Sequence, residues 1–308
     1  MLKKEDIMYV TTKFKKDYIF DAIKSSGFDA VVPYKDHTLF GRLVREAWFR
    51  LHLPFRSLLY SKKVINPHKK MFIVFDSQMN KKYFEWLKKK NPNAIIALNY
   101  LNRADTSMCH PTQAPDFVEK YSYDLSDCQK YHMHFTEPAF FDVYAFNSND
   151  YEKEYDVLFV GRDKNRMSRV LDLEKELQDL GLNTYFYICA DRKHLRFKNK
   201  RYQRVLDYDE YLELLKKSRA SLNIAREDQN AITQRELECA FCGIKCITTN
   251  EKIKDFDLYD ESRFFVLTKD NASEIKDFLS IPYKPIPESE LEKYRFENMV
   301  KRFFLSHE

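Results

Sequence analysis

Short apolar runs alternate with amphipathic segments along the whole chain. The apolar runs have the length of buried strands, and the segments between them repeat their apolar positions every three to four residues, as helices do. In the first half the predicted strands are residues 7–10, 30–33, 72–75 and 94–98, and the predicted helices are residues 15–25, 38–51 and 80–90. Strands that alternate with helices favour mainly parallel sheets with helices packed on them. The pattern therefore predicts an α/β protein.

The alternation stops between residues 107 and 151, where prolines are mixed with polar and aromatic residues. It then resumes, with predicted strands at residues 156–160, 184–189, 220–224, 245–249 and 264–267 and predicted helices at residues 165–180, 208–217, 233–242 and 272–279. We therefore predict two domains, residues 1–150 and 151–308, with a boundary within residues 147–154. Residues 288–304 repeat their apolar positions at helical spacing and predict a terminal helix.

Composition supports two ordinary soluble domains. The chain has 308 residues, of which 44% are hydrophobic and 15% aromatic, enough for two cores. No segment approaches the roughly 18 uninterrupted apolar residues of a membrane span, and no secretory signal follows the basic start. The six scattered cysteines fit small core residues of a reduced protein. We expect a cytoplasmic protein, either free or at the inner face of the membrane.

The segment that starts at Thr233 carries the clearest chemical signal. Thr233 can cap a helix, Gly243 can end it, and an apolar strand follows. Glu238 lies on this helix next to the loop 226–232, where its carboxylate can accept hydrogen bonds from both hydroxyls of a ribose. This order of elements is typical of a nucleotide-binding site, because ligands of parallel sheets bind at the carboxyl ends of strands.

Polar residues around the start of this helix extend the predicted site. Thr233 and Arg235 can hold a phosphate at the positive end of the helix. Gln229 and Asn230 precede them, at a place suited to contact with a sugar or a base. Simpler roles stay open for two of these residues, because Thr233 can be a plain helix cap and Arg235 a surface charge.

A second candidate element follows the first strand of the second domain. Gly161 leaves room for a phosphate to approach the backbone, and Arg162 can bind phosphate oxygens through two N–H groups. Asn165 adds a donor near the start of the next helix. A solvated basic turn without a ligand is the other interpretation, since one glycine is a weaker signal than a glycine-rich loop.

Three of these stretches, residues 155–162, 229–235 and 238–250, resemble GT-B glycosyltransferases. They are most similar to bacterial enzymes of lipopolysaccharide and capsular polysaccharide assembly. The resemblance implies two Rossmann-like domains that face each other across a cleft, with a C-terminal helix that crosses back to the first domain. It also implies a nucleotide-diphosphate sugar donor and neither a metal nor a cofactor. Many retaining members have an acidic residue eight positions before the ribose glutamate, where this chain has Asn230, so inverting and retaining chemistry both stay open.

An inverting enzyme needs a general base for the acceptor hydroxyl, and the first domain is the expected source. A carboxylate or an imidazole with a pKa near the working pH is suitable. Asp76 ends an apolar strand, and His110 lies in the irregular stretch that follows. We therefore name Asp76 and His110 as the candidate catalytic residues, while a retaining enzyme would need no such base.

Residues 39–63 interleave basic side chains with aromatic and aliphatic ones. Such a segment can bind anionic headgroups by charge and by apolar insertion, so peripheral membrane contact is one interpretation. A core-facing helix with a solvated basic face explains the pattern equally well. The net charge of +5 is mild for a nucleic-acid binder, so we expect no nucleic-acid partner.

Together these patterns predict a metal-independent glycosyltransferase of the hexosyltransferase type. It would move a sugar from a nucleotide-diphosphate sugar to a hydroxyl of a bacterial surface glycan or of a lipid-linked acceptor. One alternative is a nucleotide-sugar epimerase or hydrolase on the same scaffold. Another is a non-catalytic module that binds anionic membranes or nucleic acid, with steep salt dependence and no specific affinity for nucleotides.

Overall fold

A computed structural model describes residues 2–11, 18–35, 38–76, 79–191, 199–225 and 231–305. The chain divides into two compact units. The first unit combines Met1–Glu137 with Phe296–Glu308, and the second is Pro138–Arg295. None of the helices in the described ranges has the length and apolar character that crossing a bilayer requires.

The first unit contains a six-stranded sheet in the order β2-β1-β3-β4-β5-β6, and all its neighbouring strands are parallel. The strands are β1 (Ile7–Val10), β2 (Asp29–Val31), β3 (Met71–Phe75), β4 (Ile95–Tyr100), β5 (Val118–Ser122) and β6 (His134–Phe135). Every residue of β1 and β3 is buried, because helices cover both faces of the sheet at its centre. The predicted α/β class is confirmed for this unit.

The helices of the first unit begin where the sequence provides capping side chains. They are α1 (Tyr18–Ser25), α2 (Leu39–Arg50), α3 (Lys81–Lys90), α4 (Leu125–Tyr131) and α10 (Phe296–Leu305). The side chains of Thr38, Asn80 and Asp124 accept hydrogen bonds from backbone N–H groups in the first turns of α2, α3 and α4. The last helix returns to this unit, where Phe296 packs 5.5 Å from the ring of Tyr9.

Two sequence predictions are wrong in detail. Residues 107–151 were expected to be irregular, yet they contain β5, α4 and β6, because the charged pair Glu119 and Lys120 interrupts the apolar pattern of β5 without preventing its pairing with β4. The terminal helix expected over residues 288–304 is broken at Arg295. The backbone there is extended, since the Tyr294 carbonyl accepts a hydrogen bond from the Phe140 N–H instead of continuing the helix.

The second unit contains a five-stranded parallel sheet in the order β11-β10-β9-β7-β8. Its strands are β7 (Tyr155–Arg162), β8 (Thr184–Cys189), β9 (Ser218–Asn223), β10 (Lys245–Thr248) and β11 (Phe264–Val266). Its helices are α5 (Met167–Asp179), α6 (Tyr208–Lys216), α7 (Gln234–Cys242), α8 (Ile275–Ser280) and α9 (Glu288–Leu291). Helices α5 and α8 share one core cluster, and α6 and α7 share the other, so both faces of the sheet are covered. Each unit is thus a Rossmann-like α/β layer structure.

Candidate functional site

The carboxyl ends of β7 and β9 form a topological switch point in the second unit. After β7 the chain turns into α5 on one face of the sheet and continues to β8, whereas after β9 it turns into α7 on the other face and continues to β10. The strand connections therefore diverge between β7 and β9. Open parallel sheets bind their ligands in the crevice that this divergence leaves.

A cavity of about 920 Å³ lies beside this switch point. Its walls are the first three turns of α5, Ile224 and Ala225 just after β9, and the turn from Leu267 to Lys269 after β11. Arg166, Arg169 and Lys269 give it cationic groups. Asp172 and Glu176 also line it, so the cavity combines apolar, basic and acidic side chains and has the size of a small-molecule site.

Two arginines are held at the same switch point from opposite faces of the sheet. Arg166 donates a hydrogen bond to the Ile224 carbonyl after β9, and Arg235 on α7 donates to the Val160 carbonyl of β7 at 3.0 Å. Burial lowers the pKa of Arg166, and the positive charge of Arg235 lowers it further. Arg166 thus lies at the carboxyl end of β9, whereas Arg235 lies over the face of the sheet, beside Val160 and Ser221 within the strands. Two positive charges near this end of the sheet favour an anion such as a diphosphate.

Aromatic rings fix both guanidinium groups in place. The Arg166 group lies 5.6 Å from the ring centre of Phe159, and the Arg235 group lies 4.5 Å from the ring centre of Tyr211. A Cβ atom on Gly161 would lie 2.9 Å from the Phe159 ring, so a side chain at this position would displace that ring. Gly161 therefore supports the position of Arg166, while the approach of a phosphate to its backbone stays a prediction from the sequence.

The turn after β7 is occupied by two carboxylates. The Asp163 side chain accepts hydrogen bonds from the N–H groups of Arg166 and Met167, at 2.9 and 2.7 Å, and the Asp191 side chain accepts one from the Lys164 N–H at 3.0 Å. These backbone donors at the start of α5 are thus already engaged. An anion at this edge would be bound by side chains rather than by that helix terminus.

Arg162 and Asn165 lie on the same turn. The Arg162 side chain is exposed and donates to the backbone carbonyls of Ala190 and Asp191, at 3.3 and 2.7 Å. Asn165 has a left-handed backbone with φ +60° and lines the cavity. The structure therefore brings Asn165 and Arg166 to the cavity, while Arg162 points its N–H groups to the end of β8.

The start of α7 is organised by a residue that the sequence analysis missed. Glu236 is fully buried and forms two hydrogen bonds with Thr233. The Glu236 carboxylate accepts from the Thr233 N–H at 2.7 Å, and the Glu236 N–H donates to the Thr233 hydroxyl at 3.3 Å. Its carboxylate also accepts from Thr248, Asn223 and Asn250 at 2.8, 3.0 and 3.3 Å. The spacing Thr233-x-x-Glu236 is a capping-box signal that could have revealed it. Thr233 is thus engaged as a helix cap.

Replacing Glu236 with alanine is expected to lower the free energy of unfolding by about 3 kcal/mol. The change leaves the buried Thr248 hydroxyl and the Thr233 N–H without their carboxylate acceptor and removes one of several acceptors of the Asn223 and Asn250 amides. Each buried group left unsatisfied costs about 1–3 kcal/mol. Urea denaturation of both proteins measures the difference. Glu236→Gln keeps one acceptor oxygen, so its free energy of unfolding should fall less than that of the alanine variant. A free energy of unfolding of the alanine variant within about 0.5 kcal/mol of the parent would contradict this role.

Glu238 is held deep on the α7 face of the sheet. Its side chain is 4% exposed, and its two oxygens accept hydrogen bonds from the hydroxyls of Tyr208 and Tyr211 at 2.9 and 2.8 Å. Burial raises the pKa of Glu238, and the nearby Arg235 opposes that rise. A carboxylate has about four acceptor positions, and the tyrosines use two of them in a side chain that the protein encloses almost completely.

The predicted donor residues therefore form two groups rather than one. Thr233, Arg235 and Glu238 lie along α7 on one face of the sheet, whereas the cavity is lined from the α5 face and does not include them. Gln229 and Asn230 lie outside the described residues. Arg166 connects the two groups, because it lines the cavity and lies within electrostatic range of Arg235.

The two candidate catalytic residues lie in the first unit. Asp76 follows β3 directly, its side chain accepts a hydrogen bond from the Leu101 N–H at 2.8 Å, and burial raises its pKa to about 7. His110 places Nδ1 2.8 Å from the Thr112 hydroxyl, and its ring packs edge-on against Tyr131. Asp76 thus lies at the carboxyl end of β3, while His110 caps the short turn at residues 111–113.

No group of three or more His, Cys, Asp or Glu side chains that could hold a metal ion occurs among the residues that the structure describes. Arg166 and Arg235 carry the positive charge at the switch point, and Tyr208 and Tyr211 hold the carboxylate of Glu238.

Residues 169–282 match the model of the family described as glycosyl transferase-like, Glyco_trans_1_2. Among solved structures, the chain is similar to AviGT4, a glycosyltransferase of avilamycin A biosynthesis, with 9% identity over 97% of this chain and 96% of the other and a TM-score of 0.49. It is also similar to a Listeria monocytogenes protein described as a UDP-N-acetylglucosamine 2-epimerase, with 10% identity over 97% and 95% of the chains and a TM-score of 0.41. A search of curated proteins found no match. The family match supports glycosyl transfer in general, and it includes the segment with Arg235 and Glu238.

Proposed function

We propose that this protein is a metal-independent glycosyltransferase of the hexosyltransferase type. It transfers a sugar from a nucleotide-diphosphate sugar to a hydroxyl of a bacterial surface glycan or of a lipid-linked acceptor. The observation that carries the proposal is the pair Arg166 and Arg235, held at one switch point from two faces of a parallel sheet. The glycosyl transferase-like match over residues 169–282 supports the same chemistry.

In this proposal the second unit binds the donor. Arg166 and Arg235 bind the diphosphate, with Arg162, Asn165 and Thr233 at its margins and Gly161 keeping the turn open. The carboxylate of Glu238 uses its remaining acceptor positions for the ribose hydroxyls. Gln229 and Asn230 contact the base or the sugar. As the bond between sugar and phosphate breaks, the guanidinium groups stabilise the negative charge that develops on the departing nucleoside diphosphate.

Asp76 is the proposed general base. Its buried carboxyl group, with a pKa of about 7, is matched to proton transfer near neutral pH. It accepts the proton of the acceptor hydroxyl while the hydroxyl oxygen bonds to the anomeric carbon of the sugar and the nucleoside diphosphate leaves. His110 is the second candidate for this role. A direct displacement of this kind inverts the configuration of the sugar.

A turnover assay with a panel of nucleotide-diphosphate sugars tests the class of reaction. Release of nucleoside diphosphate that requires an added glycan or polyprenyl-linked acceptor is the expected result. Turnover of the donor alone would instead favour the epimerase or hydrolase. Salt-sensitive binding to nucleic acid or anionic lipid without any nucleotide turnover would favour the non-catalytic module.

A further inference from the structure

Helix α2 turns its apolar stripe toward solvent. Phe40, Leu43, Val44 and Leu51 follow one another at spacings of three, one and seven residues, which places them on one side of the helix. Phe40 is 74% exposed, Leu43 57% and Leu51 69%. An amphipathic helix on a globular protein normally turns this stripe to the core. The stripe on α2 is therefore available to something outside the described chain.

The opposite side of α2 is attached to the unit through a cation. Arg45 is buried, at 7% exposure, and its guanidinium lies 4.1 Å from the ring centre of Tyr34. Phe49 packs on the same tyrosine, with 6.1 Å between ring centres. The interpretation of residues 39–63 as a core-facing helix with a solvated basic face is therefore wrong for the apolar stripe of α2, which faces solvent. The basic side chains of Arg42 and Arg50 are exposed, as that interpretation expected.

The loop after α2 adds two more apolar tips to this surface. Phe55 is 73% exposed and Leu58 60%, and Phe55 has a left-handed backbone with φ +58°, which costs about 1 kcal/mol or more for a bulky residue. The loop is tied to the helix, since the Trp48 indole donates to the Pro54 carbonyl at 2.9 Å and Arg56 packs over the ring of Phe49. These tips are thus fixed in an outward position.

The same segment concentrates the positive charge of the protein. Residues 38–63 contain six basic side chains and one carboxylate, and with the buried Arg45 left out their net charge is +4, against +5 for all 308 residues. Arg50, Lys62 and Lys63 are exposed on the same segment as the apolar tips. A second copy of this chain would bring two such surfaces of the same sign together and would be repelled. The charge favours a negatively charged partner.

We infer that the surface formed by α2 and residues 51–63, the α2 surface, docks on an anionic lipid bilayer. Phe40, Leu51, Phe55 and Leu58 enter the interfacial layer, and the basic side chains beside them contact anionic headgroups. Separate apolar tips surrounded by cations suit a lipid interface better than a folded partner, which would need a contiguous complementary patch.

The α2 surface belongs to the same edge of the sheet as Asp76. The Ser61 N–H donates to the Pro33 carbonyl, and the Lys35 N–H donates to the Leu59 carbonyl, so the loop is fixed to the residues that follow β2. Asp76 follows β3 in this parallel sheet. Docking would therefore bring the catalytic edge of this unit toward the membrane, which, if the proposed function holds, selects a lipid-linked acceptor.

Cosedimentation of the full chain with phosphatidylcholine vesicles, with and without phosphatidylglycerol, tests the inference. We expect binding only to the anionic vesicles, and binding that weakens as salt is added. The double variants Phe40→Ser/Phe55→Ser and Lys62→Glu/Lys63→Glu should each bind at least about tenfold more weakly. Matched changes elsewhere on the first unit, Phe117→Ser/Leu125→Ser and Lys89→Glu/Lys90→Glu, should leave binding unchanged.

Several results would overturn the inference. The first is that the protein binds neutral vesicles as well as anionic ones, or binds no vesicles at all. The second is that the matched control variants lose as much vesicle binding as the α2 variants. The third is that light scattering shows a dimer, which the α2 variants convert to a monomer. Binding of nucleoside diphosphates without vesicles is measured in parallel. The α2 variants should retain this nucleoside diphosphate binding. The vesicle assay then tests the docking inference alone, and the nucleotide assay tests the donor proposal alone.

Discussion

Glu238→Ala should lower kcat/KM for the nucleotide-sugar donor by about 100-fold. A carboxylate that accepts hydrogen bonds from two ribose hydroxyls contributes about 1.5–3 kcal/mol for each bond to the charged group, in both ground and transition states. The loss should therefore come mainly from weaker donor binding and appear chiefly in KM. Initial rates at several donor concentrations separate the two parameters.

The buried position of Glu238 calls for a control on stability. Alanine at this position also leaves the hydroxyls of Tyr208 and Tyr211 without their acceptor. Tyr208→Phe removes one of these bonds while it keeps the carboxylate, so it should retain most donor affinity. If Tyr208→Phe and Glu238→Ala lose affinity equally, or if thermal stability alone accounts for the loss, the carboxylate supports the fold and does not bind the ribose.

Asp76→Asn should reduce kcat by about 1,000-fold, within the range of 10²–10⁴ that general base catalysis supplies. The amide has the shape of the carboxyl group and can still accept from the Leu101 N–H, but it cannot take a proton. Since burial raises the pKa of Asp76 to about 7, the parent enzyme should be slow below that pH, where the base is protonated, and should reach a plateau above it.

The pH profile distinguishes catalysis from support of the fold. The variant should lose the rise near pH 7 together with its rate, while donor binding stays close to that of the parent. His110→Asn provides the comparison for the second candidate. If the rise in rate near pH 7 persists in Asp76→Asn and disappears in His110→Asn, His110 is the base. If neither variant loses this rise, the result points to a retaining reaction.

The strands that the sequence predicted are those with uninterrupted apolar runs. Residues 72–75 and 245–248 are buried on both faces, so their composition alone identifies them. The strand β5 was missed, because Glu119 and Lys120 are tolerated where one side of the strand is only partly buried. Periodicity also could not reveal the outward direction of α2, since an apolar stripe looks the same whether it contacts a core or a membrane.

The candidate site was only partly predictable for a similar reason. Local signals identified Thr233, Glu238 and Gly161, each from its place in a cap, a helix or a turn. Arg166 and Arg235 are far apart in the sequence and come near each other only because β7 and β9 are neighbours in the sheet. The pairing of β7 with β9 depends on the order of strands in the sheet, which the hydrophobic pattern of the sequence does not specify.

Calorimetric titration of nucleoside diphosphates into the parent protein and into Arg166→Gln/Arg235→Gln tests the central claim most directly. Arg219→Gln is the matched control, because Arg219 pairs with Asp156 near the amino end of the same sheet. We expect the parent and the control to bind one nucleoside diphosphate, and the double variant to bind it at least about tenfold more weakly while binding of the bare nucleoside is unchanged. Equal affinities in all three proteins, or no nucleoside diphosphate binding by the parent, would contradict a donor site at the junction of β7 and β9.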